Sequence, residues 1–296
     1  MSVIIPVYNR LEELARALDS LVNQTQKNFE VIVVDDGSIE NIKLVTDKYH
    51  SELNVNLIKI ENSGGPARPR NVGIRASKTK WISLLDSDDW WRPQRIFEMC
   101  LAINNNPEYD IFYHKLKIVC DDRSIKWWST KNIGFSLSKN AFVDLMIRGN
   151  ALPNSSVVIR KSIFQQLGYL NEASDFASVE DFDYWLKASN AKCKFYFLNK
   201  SLGSYWLSNS GISANPLKTI DCNRVILDKY SNYLSNENKK AAISKYDYFV
   251  GSILYGANRP SEALTKLKNA KHLTGFVLKS KRLLKILMIY MKLKKK

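Results

Sequence analysis

Acidic residues gather at two places where a run of apolar chain ends. Asp35 and Asp36 precede Gly37 and Ser38, and Asp86-Ser87-Asp88-Asp89 follows Leu84 and Leu85. An Asp-x-Asp turn puts two carboxylates close together. Hard oxygen donors of that kind suit Mg2+ or Mn2+, often with a substrate's phosphates completing the shell. Asp also forms turns and caps helices, so one such cluster would say little. Two clusters after two strands of one sheet favour chemistry, because like charges at one edge need a cation, an arginine or hydrogen-bonding ligands to offset them. A third acidic pair, Glu180-Asp181, opens a helical segment and reads either as a general base or as a helix cap. None of the histidines His50, His114 and His272 lies in a motif. The cysteines Cys100, Cys120, Cys193 and Cys222 form no C-x-x-C pair and read as reduced, mostly buried thiols.

The elements that must position these groups alternate. Val3 to Val7, Phe29 to Val34, Val55 to Ile60 and Trp81 to Leu85 read as strands, the first, second and fourth of them nearly continuous apolar runs. Between them, Leu11, Leu14, Leu18, Leu21 and Val22 recur at helical spacing, and helices are expected over about 40–50 and 70–77. This alternation predicts an α/β fold, a mainly parallel sheet flanked by helices. Ligands of such sheets bind beyond the carboxyl ends of the strands, where Tyr8-Asn9-Arg10 and both Asp clusters fall. The middle third is less regular, with short helices expected over 139–148, 161–167 and 181–188 and a strand at 194–198. From about Ile220 everything reads as helix. The predicted division is a catalytic domain over 1–215 and a smaller all-helical region over 216–296. Gly251, Ala263 and Ala270 fit a helical hairpin there.

Four ordered segments resemble the signature of family 2 glycosyltransferases: Ser2-Val3-Ile4-Ile5-Pro6-Val7-Tyr8-Asn9-Arg10, Val33-Val34-Asp35-Asp36-Gly37-Ser38, Gly64-Gly65 with Asn71 and Gly73, and Leu85-Asp86-Ser87-Asp88-Asp89. Glu180-Asp181 is similar to the family's Glu-Asp pair. The resemblance covers about residues 2–215 and implies the Rossmann-like GT-A fold, a nucleotide-diphosphate sugar donor and inversion. It implies that Tyr8 offers its ring to the base, with Pro6 shaping the pocket, and that Asp35 and Asp36 accept from base or ribose. Arg70 is then a candidate for the diphosphate, or a solvated surface arginine. Asn71 is expected to order its loop beside the donor. Asp86 would face ribose or metal, Asp88 would hold a divalent cation (Mn2+ or Mg2+), and Asp181 would be the catalytic base. One departure stands out: Trp206 and Ser208 occupy positions where many relatives carry Arg and His, which weakens the case for a strict metal requirement. Trp90 and Trp91 are candidates for stacking on an acceptor sugar, ahead of Trp127, Trp128, Trp185 and Trp206.

The chain carries a formal net charge of +15, and Arg259 to Lys296 alone hold twelve basic residues against one acid. That last segment reads as a basic amphipathic helix for an anionic membrane interface, or as a helix packed on its domain with a solvated tail. No nucleic-acid motif accompanies it. The N-terminus lacks the features of a signal peptide, and no apolar run is long enough to span a bilayer, so a cytoplasmic protein at the inner face of the membrane is expected. The resemblance implies transfer of one sugar to a glycan acceptor, lipid-linked, in surface polysaccharide assembly such as lipopolysaccharide O-antigen or capsule. Two other readings stay open: a non-catalytic nucleotide-sugar-binding module with this fold, and a nucleotidyltransferase.

Overall fold

A computed structural model describes residues 1–120, 131–207 and 216–294. Trp127, Trp128 and Ser208 lie outside the described residues. In chain order the elements are β1 (Ser2–Val7), α1 (Leu11–Val22), β2 (Glu30–Asp35), α2 (Lys43–Thr46), β3 (Val55–Lys59), α3 (Ala67–Ala76), β4 (Trp81–Leu84), β5 (Trp90–Trp91), α4 (Arg95–Asn105), β6 (Ile111–Cys120), β7 (Asn132–Ile133), α5 (Ala141–Arg148), β8 (Val158–Arg160), α6 (Lys161–Leu167), α7 (Glu180–Asn190), β9 (Phe195–Leu207), α8 (Pro216–Tyr230), α9 (Asn236–Gly256), α10 (Pro260–Asn269) and α11 (Phe276–Lys294). They form two compact units. One comprises Met1–Leu137 and Ala151–Ala214, the other Ser138–Asn150 and Asn215–Lys296.

The first unit is built on one mixed sheet ordered β3-β2-β1-β4-β8-β6-β9-β5, with β7 pairing β6. The strands β3, β2, β1 and β4 are mutually parallel. Beyond them β8 runs antiparallel to both β4 and β6, and β9 lies parallel to β6. The parallel character expected from the alternating first ninety residues therefore holds for that half of the sheet. The other half is set by strands arriving from distant sequence. A core of Val3, Ile5, Val31, Val33, Leu14, Leu18 and Leu21 joins β1 and β2 to α1, using the helical spacing of the leucines. The helix expected over 40–50 shrinks to the single turn of α2 and a 3-10 turn at Asp47–Tyr49.

Pro6 sits in a central strand, where a missing N–H is normally costly. Ile4 O accepts from Leu85 N on the β4 side, and Val7 O accepts from Asp36 N on the β2 side. Pro6, two residues after Ile4, faces the β4 side, past the last β1–β4 pair at Ile4 and Leu84. No ladder bond is lost, and β1 can open toward the edge where ligands bind.

The second unit is helical. Ser235 caps α9 through its side chain, which accepts from Asn238 N, and Pro260 opens α10. Val250, Leu254, Ala263, Leu267 and Ile289 form its core. A Cβ on Gly251 would stand 2.7 Å from Leu267 Cγ, so the glycine permits the close crossing of α9 and α10.

Candidate active site

The donor, metal and base candidates named from the sequence lie at the ends of β1, β2 and β4 or on the α3 and α7 helices. At the end of β1, Tyr8 is 47 % exposed, a ring face open to a ligand. Asn9 holds a left-handed backbone (φ 49°), which asparagine tolerates. It ties the ends of β1 and β2 together: Asn9 N donates to Ser38 Oγ at 2.9 Å, and Asn9 Oδ1 accepts from Ile39 N at 2.9 Å. Asp35 is turned inward and accepts from Ser38 N at 2.8 Å. Asp36 is buried too and accepts from Ser63 N at 3.0 Å and from Ser63 Oγ at 2.8 Å. Burial pushes the Asp36 carboxyl up, against the pull of those bonds. Gly37 makes the turn possible: its φ is +75°, and a Cβ there would stand 2.6 Å from Asn62 N.

The acidic turn after β4 is braced on every side. Asp86 N donates to Ser155 Oγ (3.0 Å), and Asp86 Oδ1 accepts from Asn154 Nδ2 (3.0 Å) and Arg70 Nη2 (2.5 Å). Asp88 forms an ion pair with Arg10, and its carbonyl accepts from Arg16 Nη2 at 2.9 Å. Arg16 in turn lies between two indoles, 4.5 Å from the Trp90 ring and 4.3 Å from the Trp206 ring. Asp89 is buried, accepting from Ser155 Oγ at 2.5 Å and from Trp206 N at 2.9 Å. Burial raises Asp88, opposed by the Arg10 charge. Burial also raises Asp89 well above the usual carboxylate range, and the charges of Asp88 and Asp86 push the same way. Asp89 is thus a brace for the loop, not an open ligand.

Arg70 joins this turn to α7. Its guanidinium is buried and pairs with both Asp86 and Glu180. The structure places it among protein carboxylates, neither on the solvated surface nor open toward a diphosphate. Burial pushes Glu180 up to about 7 against the opposing pull of Arg70. Asp181, next in sequence, is partly exposed in the first turn of α7, where a helix N-terminus favours negative charge, and its Oδ1 accepts from Phe182 N at 2.6 Å. Asn71 spends its amide on the loop after α6: it donates to Leu170 O (2.9 Å) and Glu172 Oε1 (2.7 Å) and accepts from Leu170 N (3.0 Å). It orders that loop.

Burial raises the phenol of Tyr205 in β9, and the charges of Asp89, Asp86, Asp88 and Asp181 push it further up. Carboxylates from a strand-end turn and from the start of a helix much later in the chain thus act electrostatically on one residue. Among the described residues no group of three or more His, Cys, Asp or Glu side chains is arranged to hold a metal by itself. Asp86 and Asp88, though paired with Arg70 and Arg10, put hard oxygen donors on one turn, a donor type that would suit a divalent cation. Glu180 Oε2, Arg70 Nε and Asn154 Oδ1 are buried without hydrogen-bond partners among the described residues, so polar capacity beside the turn is unspent.

Sequence reasoning missed Asn154, Ser155, Arg16 and Tyr205. Pro153-Asn154-Ser155-Ser156 carries turn chemistry that could have drawn attention, but nothing in it points to an acidic turn 69 residues away. Trp91 is not free for an acceptor. It is buried, stacks on Arg95 at 3.7 Å and donates from Nε1 to Ser155 O at 2.7 Å.

Comparison with known proteins agrees with this geometry. The sequence model described as "Glycosyl transferase family 2" matches residues 2–168. An uncharacterized glycosyltransferase of Haemophilus influenzae is 34 % identical over 187 residues, which cover 63 % of this chain and 61 % of that protein. The amylovoran biosynthesis glycosyltransferase AmsB of Erwinia amylovora is 27 % identical over 69 % of this chain and 68 % of its own length. Several curated relatives are much longer, the match taking in 26 % of an uncharacterized Rickettsia bellii glycosyltransferase. Among solved structures, S. aureus TarS 1-349 in complex with UDP-GlcNAc superposes with a TM-score of 0.60 at 19 % identity, covering 92 % of this chain and 88 % of that one. The mannosyltransferase PcManGT of Pyrobaculum calidifontis, in complex with GDP-Man and Mn2+, gives 0.61 at 14 % identity, covering 94 % and 77 %. The fold of these structures is the GT-A fold expected from the sequence.

Proposed function

We propose that this chain, which belongs to glycosyl transferase family 2, moves a single sugar from a nucleotide-diphosphate donor to a hydroxyl of a glycan acceptor, with inversion at the sugar carbon. The observation that carries the reading is the Arg70 bridge, which holds the Asp86 turn and the Glu180-Asp181 turn side by side. That bridge supports a donor-binding half and a base within one site.

Tyr8 offers its ring to the base, and Pro6 leaves the end of β1 open for it. The Asp36 lone pairs that Ser63 does not use accept from base or ribose, with Asp35 fixing the turn beneath. Asp86 and Asp88 would hold a divalent cation, Mn2+ or Mg2+, which would supply charge neutralisation for the nucleoside diphosphate leaving group. Arg70 holds Asp86 in place through its ion pair, without touching the donor itself. Asp181 takes the proton of the acceptor hydroxyl as that oxygen attacks the anomeric carbon from the side opposite the phosphate. The new glycosidic bond forms as the bond to the phosphate oxygen breaks, and the pair leaves on the diphosphate. The leaving group is already good, so one carboxylate suffices where glycoside hydrolysis needs two.

The names of two relatives, an amylovoran biosynthesis glycosyltransferase and a poly(ribitol-phosphate) beta-N-acetylglucosaminyltransferase, support a role in surface polysaccharide assembly, and a lipid-linked acceptor at the inner face of the cell membrane is part of the proposal. The test is thermal stabilisation by UDP-, GDP- and dTDP-sugars with and without Mn2+, followed by transfer assays on Asp181→Asn. One sugar nucleotide should raise Tm in a metal-dependent way. Asp181→Asn should keep that shift and lose transfer by about a hundredfold or more. A variant that transfers normally would remove Asp181 as base, and no shift with any donor would sink the donor site.

A further inference from the structure

Helix α11 has two faces, and the protein uses one of them. Ile286, Ile289 and Leu293 turn inward and pack with Val250, Leu254 and Leu267 in the core of the second unit. Arg282 pins the same side, donating from Nε to Leu267 O at 2.6 Å and from Nη2 to Lys268 O at 3.1 Å. These are carbonyls near the end of α10, where a cation is favoured. The rotation of α11 about its own axis is therefore fixed.

The outward face is apolar. Phe276, Leu283, Leu284, Leu287, Met288 and Met291 are each between 43 and 84 % exposed. At 100° per residue they fill an arc of about 140° over about four turns. Exposed Lys279 borders the strip on one side, and exposed Lys281 and Lys292 border it on the other. Scattered exposed leucines need no explanation, but a continuous strip with charged margins marks a surface that something covers. A second copy of this face would set one basic segment against another, twelve cations and a single acid on each side. An anionic bilayer meets both demands, acyl chains for the strip and phosphates for the lysines. Among the described residues no helix is long and apolar enough to cross a membrane, so α11 would lie on the bilayer and not span it.

We propose that the outward face of α11 lies in the interface of an anionic membrane, with Phe276, Leu283, Leu284, Leu287, Met288 and Met291 among the upper acyl chains and Lys279, Lys281 and Lys292 at the headgroups. This goes beyond the transfer reaction, and its binding readout needs neither donor nor acceptor. The full chain is floated with vesicles of phosphatidylcholine alone and of phosphatidylcholine with about a quarter phosphatidylglycerol. It should float with the anionic vesicles and much less with the neutral ones. Leu284→Glu with Leu287→Glu should lower binding more than tenfold, while circular dichroism and the donor-induced Tm shift stay unchanged. Replacing Lys279, Lys281 and Lys292 by Gln should weaken binding to the anionic vesicles by about a hundredfold. Failure to float, or equal flotation of the double Glu variant, overturns the proposal. So does a concentration-dependent dimer that the same substitutions dissolve, since the strip would then cover itself.

Discussion

A guanidinium buried between two carboxylates adds little net stability, because desolvation offsets most of the attraction, yet removing it leaves charges stranded. Arg70 is in that position between Asp86 and Glu180. Arg70→Met is expected to cost about 3–5 kcal/mol in chemical denaturation. Arg70→Lys keeps the charge but not the fork that reaches two acids at once. It should fold, lower kcat by about ten- to hundredfold through misplacement of the acids, and change the donor KM less. A lysine variant with normal kcat would show that the bridge is structural only. His114 offers a second test, by pH. It is buried, accepts at Nε2 from Arg95 Nε (3.2 Å) and has Nδ1 2.8 Å from Lys115 O. Burial, then the Arg95 charge, pushes its pKa from 6.5 down to about 3. The folded protein therefore binds this proton less tightly than the unfolded chain, and stability falls as pH drops below 6.5 until about 3. At pH 4.5 the loss is about 2–3 kcal/mol. His114→Gln should flatten the stability profile between about pH 6.5 and 4.5 by that amount, and parallel profiles would contradict the assignment.

At the scale of elements, α3 decides where Arg70 stands. A Cβ on Gly73 would lie 2.5 Å from Ile4 Cγ2 and 3.3 Å from Val34 Cγ2, so the helix touches β1 and β2 through its glycine. Alanine gains about 1 kcal/mol of helix propensity there, but overpacking a buried isoleucine costs about 1–3 kcal/mol. Gly73→Ala should be net destabilising by about 1 kcal/mol and should lower kcat, since α3 carries Arg70. Gly256, at the end of α9, meets nothing within 4 Å. Gly256→Ala should be neutral or stabilising by up to about 1 kcal/mol, measured in the same denaturation series. The same distinction explains what was legible in the sequence. Strand ends and the acidic turn are local patterns whose residues could be named from spacing, while the start of α7 was named through the family resemblance. The bonds from Ser155 to Asp86 and Asp89, from Trp206 to Asp89 and from Arg10 to Asp88 join residues 66 to 117 positions apart. No period or turn rule encodes such contacts. Those of Ser155 and Trp206 arise when β8 and β9 enter the sheet beside β4 and β6, and β8 is only three residues long; that of Arg10 arises because β1 pairs β4.

At the scale of the whole molecule, the candidate site and the basic last segment belong to different compact units. Each unit has its own apolar core, one around β1, β2 and α1 and another around α9, α10 and α11. The basic excess of the last segment was plain from composition, but which side of α11 is buried was not. Apolar side chains occur on both faces, and only the fixed position of Ile289 and Arg282 separates them. Two cores also mean that one free energy of unfolding need not describe the chain. Leu267 is fully buried at the α9–α10 crossing. Leu267→Ala removes its methyl groups and leaves a cavity, at an expected cost of about 2–5 kcal/mol to the helical unit. No residue assigned to donor or base lies in that unit, so donor affinity at a temperature where both units are folded should stay within about twofold of wild type. Titration calorimetry with the stabilising sugar nucleotide, beside a denaturation curve, reads both quantities. If affinity fell in proportion to stability, the donor site would depend on the helical unit, and the assignment of binding to the strand ends alone would fail.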